Sequence, residues 1–103
     1  MALKKLGQQA DPVADALLYG PAAGFQAAVV VEMCNTGAVD RTVRISHTTG
    51  AATAASTAVV WDLIIPAGEA YTRGYSIGPG ASLYVKCSGA GITFTAHGDE
   101  TTV

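Results

Sequence analysis

Apolar and polar residues alternate one for one along most of this chain. Phe25, Ala27, Val29, Val31 and Met33 share one parity, with Glu32 and Cys34 on the other. Val43, Ile45 and His47 alternate with Thr42, Arg44 and Ser46, and Leu83, Val85 and Cys87 alternate with Ser82, Tyr84 and Lys86. Near the end, Ile92, Phe94 and Ala96 alternate with Thr93, Thr95 and His97. Successive side chains of a strand point to opposite faces, so period two predicts strands buried on one side. The run Val59 to Ile65 is denser in apolar residues and predicts a strand buried on both faces, with Trp61 in the core. β-branched and aromatic residues fill these runs, as strands prefer.

Turn residues punctuate the pattern where it breaks. Pro21 to Gly24, Asn35-Thr36-Gly37, Pro66-Ala67-Gly68, Gly78-Pro79-Gly80 and Gly89-Ala90-Gly91 all fall between apolar runs. Glycine reaches positive φ and proline presets the start of a turn. The resulting strands cover 15–20, 26–34, 40–48, 57–65, 69–76, 82–88 and 91–98. About seven strands at this spacing predict an all-β chain, a single antiparallel β-sandwich of jelly-roll or Ig-like type. Residues 1–14 break the alternation and predict an extended N-terminal arm, anchored by Leu3 and Leu6, ahead of a sandwich domain over 15–103. Residues 48–58 are small and uncharged and predict a long loop.

Composition changes the picture. Only 14% of the 103 residues are charged, against roughly 25% in ordinary soluble domains. Half are hydrophobic, yet the longest apolar stretch, Ala27 to Val31, stops at Glu32. A membrane-spanning helix needs about 20 apolar residues, so none is expected. No apolar segment follows Lys4-Lys5, which predicts no secretion signal and synthesis in a cytoplasm. A domain so poor in charge is expected to bury part of its surface against other chains. The six basic residues are scattered and the net charge is −2, which lacks the basic stripe that nucleic acid requires.

Candidate chemistry is sparse. Cys34 and Cys87 are expected as free thiols, with a disulfide as the alternative. Their spacing around Trp61 departs from an immunoglobulin domain, in which the tryptophan follows the first cysteine closely. His47 and His97 stand alone, without the paired spacing of a metal site. Ser46 and His47 are neighbours on one strand and face opposite ways, so with Asp40 they cannot form a triad. The glycines from Gly74 to Gly80 lack the Lys-Ser/Thr of a phosphate loop. Neither a catalytic set, a cofactor nor a metal is expected. Trp61, Tyr71, Tyr75 and Tyr84 could form a sugar platform, although core or interface packing is the plainer reading.

Three groups of residues carry a resemblance. They are Lys5-Leu-Gly-Gln8 with Leu17-Leu-Tyr-Gly-Pro-Ala-Ala-Gly24; Ala28-Val-Val-Val-Glu-Met-Cys-Asn35 with Arg41-Thr-Val-Arg-Ile45; and Leu83-Tyr-Val-Lys-Cys-Ser88 with Ile92-Thr-Phe-Thr-Ala-His-Gly-Asp-Glu100. Together they resemble a group of short tailed-bacteriophage virion structural proteins. The chain departs from that pattern at residues 48–58 and at Gly20. The resemblance implies a small β-sandwich present in many copies on a virion. The leading expectation is a capsid decoration (cement) protein, a homotrimer that clamps major capsid subunits. Its expected interface residues are Leu3, Leu6, Trp61, Tyr71 and Tyr75. The alternatives are a tail, neck or fibre-base part, and a glycan-binding attachment module with an exposed Trp61 or Tyr75. Nucleic acid and membrane are not expected partners, nor is enzymatic activity expected.

Overall fold

The computed structural model describes residues 4–50 and 52–102. Eight strands run through them: β1 (Lys4–Ala10), β2 (Ala16–Tyr19), β3 (Phe25–Asn35), β4 (Arg41–Thr48), β5 (Ala58–Ile65), β6 (Ala70–Ile77), β7 (Ser82–Cys87) and β8 (Ile92–Thr102). A single 3-10 turn, Ala55–Thr57, leads into β5. The strands form two four-stranded antiparallel sheets, the first in the order β1-β8-β3-β6 and the second β2-β7-β4-β5. All the strands predicted from the alternation are present, shifted at their ends by a few residues.

The core follows the predicted parity. Val29, Val31 and Met33 of the first sheet face Val43, Ile45, Leu83 and Val85 of the second, and all are buried together with Ile92 and Phe94. The long strands β3 and β8 pair without a break from Phe25↔Thr102 to Asn35↔Ile92 and form the spine of the first sheet. At its lower end Asn35 is fully buried and joins the sheets. Its Nδ2 donates to the carbonyls of Val39 (2.8 Å) and Ile65 (2.9 Å), and its Oδ1 accepts from Gly37 N–H (2.9 Å).

Two expectations need correcting. Residues 4–10, read as part of an arm, are edge strand β1, hydrogen-bonded to β8 of the same chain. Backbone pairing needs no apolar alternation, so a polar edge strand is hard to tell from a loop. Leu3 lies outside the described residues. Trp61, read as core, is 39% exposed. The cause is an irregularity in β5, where Val43 faces Leu63 but Ile45 faces Val60, giving β5 one extra residue. Asp62 takes it up in the left-handed region at φ 53°, a conformation that Asp tolerates better than most residues.

The two sides of the sandwich differ. On one, β1 lies against β2: Gln9 Nε2 donates to the Leu17 carbonyl (2.9 Å), and a Cβ at Gly7 would run into the Leu18 carbonyl oxygen. The Tyr19 hydroxyl also donates across to the Glu100 carboxylate, which pairs with Lys4 Nζ at 3.0 Å. On the other side β5 and β6 end their sheets, and no described strand pairs with their outer edges. That side is open.

Candidate functional site

The residues considered for catalysis are dispersed. His47 lies in the second sheet and His97 in the first. The His97 ring faces Glu32 at 3.9 Å. Ser46 is buried, and its hydroxyl is shared between the N–H and carbonyl of Ala54 (3.0 and 3.2 Å). That pair pins the 48–58 loop to β4. Asp40 accepts from Ala67 N–H (3.1 Å). No group of three or more His, Cys, Asp or Glu among the described residues could hold a metal ion. Cys34 and Cys87 are both free. Cys87 donates to the Gly89 carbonyl (3.2 Å), and burial pushes its thiol up.

The expected interface residues fall in different places. Leu6, Tyr71 and Tyr75 are half-buried and pack against the core. The Tyr75 hydroxyl is buried without a hydrogen-bond partner among the described residues. Trp61 alone of the four described is exposed on the outer face of its sheet.

Around Trp61 the chain gathers charge. The Arg44 guanidinium lies 3.8 Å from the ring centroid. Its Nε and Nη2 donate to Oδ1 and Oδ2 of Asp62 at 2.6 and 3.2 Å. This fork-to-fork pairing fixes both groups; it holds the Asp62 carboxyl below its ordinary range and raises Arg44. Lys86 stands opposite Arg44 on the next strand. Asp15, held low by the Thr53 hydroxyl, lies close enough to feel both cations. Thr42, Arg44, Asp62, Lys86, Cys87 and Ser88 line a shallow depression of about 150 Å³.

Four of the chain's 14 charged residues (six basic plus eight acidic) are therefore concentrated at one spot. Sequence reasoning missed the cluster, although its signal was present. Asp62 is the lone charge in an apolar run, and Arg44 and Lys86 occupy the polar phase of their strands. The bulge that sets Asp62 beside Trp61 on one face leaves no mark in the alternation.

A second surface lies along the open side. Val59 and Ile64 of β5 are 43% and 57% exposed. They border a groove that reaches Arg73 of β6. No family model, no curated protein and no solved structure matches the chain.

Proposed function

We propose that the chain is a structural subunit of a phage particle, a capsid decoration protein. It acts by burying apolar surface against further copies and the major capsid protein, without reaction chemistry. The observation that carries this reading is the open side, where β5 presents a backbone edge that no described strand pairs, beside exposed Val59 and Ile64. Monomeric proteins blunt such edges with charge or cover. Here the one charge of β5, Asp62, is engaged by Arg44. Burial at about 25 cal/mol per Å² over a standard ~800 Å² per partner offsets the cost of association.

The strand order supports the same reading. All consecutive connections except β4–β5 cross between the sheets, which supports a jelly-roll reading, an architecture used by viral capsid domains. A homotrimer closes the edge contacts symmetrically and repeats them over a shell. Electron microscopy of the intact particle tests the proposal. Density for this sandwich arrayed over the shell supports it; density confined to the tail, neck or fibre base overturns the capsid assignment.

A further inference from the structure

We propose that β6 of one copy lies antiparallel beside β5 of the next, with Arg73 opposite Asp62, so that the open side faces a three-fold axis. The contact deepens the assembly reading and rests on it. The partner that the β5 edge accepts is a second copy of this chain, presented through its β6.

Few edges are available for such a contact. β1 and β2 end their sheets on the closed side, where they lie against each other. Among the described strands, β5 and β6 remain. They run in opposite directions, because β5 ends beside Asn35 and β6 begins beside Cys34. Their exposed groups differ. β5 shows Val59, Trp61 and Ile64, whereas β6 shows Thr72, Arg73, Gly74 and Ser76.

Charge selects which edges meet. Each strand carries one ionic group near its middle, Asp62 in β5 and Arg73 in β6. Arg73 stands opposite core residue Val31 and so lies on the core-facing side of its sheet. It is exposed all the same, at the groove that Trp61, Asp62 and Ile64 also line. Its guanidinium donates to the neighbouring Thr72 carbonyl (2.9 Å) and, among the described residues, forms no ion pair.

Two β6 strands fully overlapped about a two-fold axis would bring Arg73 beside Arg73. Two β5 strands would bring Asp62 beside Asp62, and set their irregularities against each other. Like charges facing across strands are destabilising. Pairing β5 with β6 joins opposite charges instead. With Ala58 set opposite Ile77 and Ile65 opposite Ala70, Asp62 comes opposite Arg73. Both Asp62 oxygens already accept from Arg44, and each has a further lone pair for a second guanidinium.

The symmetry fits this register. A three-fold axis parallel to the strands keeps all copies at one height and every β5 antiparallel to the next β6. The levels at which Asp62 and Arg73 border one groove within a copy are thereby repeated between copies. Both edges lie on the same side of the sandwich, so each head-to-tail contact turns sharply and the series closes into a small ring.

Two variants of the full chain test the contact by native mass spectrometry. Val59→Lys, Ile64→Lys blocks β5 and leaves β6; Arg73→Glu, Ser76→Glu blocks β6 and leaves β5. All four positions are exposed, and circular dichroism verifies the folds. Each variant alone should self-associate at least about tenfold more weakly than the parent. Arg73→Gln, a milder change, should act in the same direction. Mixed in equal amounts, the two variants should form a one-to-one complex, because one supplies β6 and the other β5. A parent that associates while the β6 variants associate as strongly overturns this contact and leaves the assembly reading standing. So does a mixture without a one-to-one complex. A monomeric parent overturns both.

Discussion

Asn35 should be the least replaceable polar residue of the described chain. It is fully buried, and its side chain makes three hydrogen bonds that tie the end of β3 to the ends of β4's approach and β5. Its backbone adds two more, N–H to the Glu69 carbonyl and C=O from Gly68 N–H, both 2.9 Å. Asn35→Ala removes the side-chain set and takes the Asn35 partner from the buried Ile65 carbonyl, the Val39 carbonyl and the part-buried Gly37 N–H. Each orphaned group costs about 1–3 kcal/mol, so a total near 3 kcal/mol is expected. That is a large share of the ~5–15 kcal/mol that holds a domain folded. At about 4–8 °C per kcal/mol for a domain of this size, the midpoint falls by roughly 12–24 °C. Asn35→Asp tests the geometry more sharply. Its added oxygen would face the two carbonyls that now accept from Nδ2. The carboxylate is penalised and its pKa in the folded state rises. Stability is therefore present at low pH and lost as pH rises, leaving Asn35→Asp less stable than Asn35→Ala at neutral pH. Urea and thermal unfolding followed by circular dichroism measure both. An Asn35→Ala variant within about 1 kcal/mol of the parent would refute the argument, since that is the cost of an ordinary surface bond.

Further outcomes follow from other contacts. A Cβ at Gly98 would collide with the Ala28 carbonyl, whereas Gly78 has open space; Gly98→Ala should cost about 1–3 kcal/mol and Gly78→Ala far less, and equal costs in urea unfolding would contradict this. The Glu100 carboxyl is held low by the Tyr19 hydroxyl and by Lys4. Its contribution is present above the ordinary carboxylate range and is lost as pH falls through the depressed value. Glu100→Gln should flatten the acid limb of stability, and an unchanged limb would count against the latch. Burial, and secondarily the Glu100 hydrogen bond, raises Tyr19. That contribution is complete below pH 10.0, the ordinary tyrosine value, and is lost above it, which alkaline unfolding of Tyr19→Phe checks. A thiol reagent should modify half-buried Cys34 before Cys87, whose thiol burial holds up; equal rates in the folded protein would be inconsistent with this packing.

Strands buried on one face could be read directly, because burial imposes period two on β3, β4, β7 and β8. Three features stayed hidden for physical reasons. β1 earns its place through backbone hydrogen bonds to β8 and through Gly7 and Gln9 against β2, none of which needs an apolar pattern. The extra residue in β5 preserves local composition while reversing the phase, so Trp61 reads as core but is exposed. The charged cluster draws on Asp15, Arg44, Asp62 and Lys86, which only the sheet order β2-β7-β4-β5 brings together. Asn35 was visible as a turn residue, but its bond to Ile65, thirty positions away, was not.

The account rests on the open side of the sandwich serving as a contact between chains. Sedimentation equilibrium of the parent and of a Val59→Lys, Ile64→Lys variant tests it most directly. Both positions are solvent-exposed, so the fold tolerates the change. The account predicts a parent that self-associates, with a trimer as the end state, and a folded variant that remains monomeric. A parent that stays monomeric at high concentration, or a variant that associates as strongly as the parent, would contradict it.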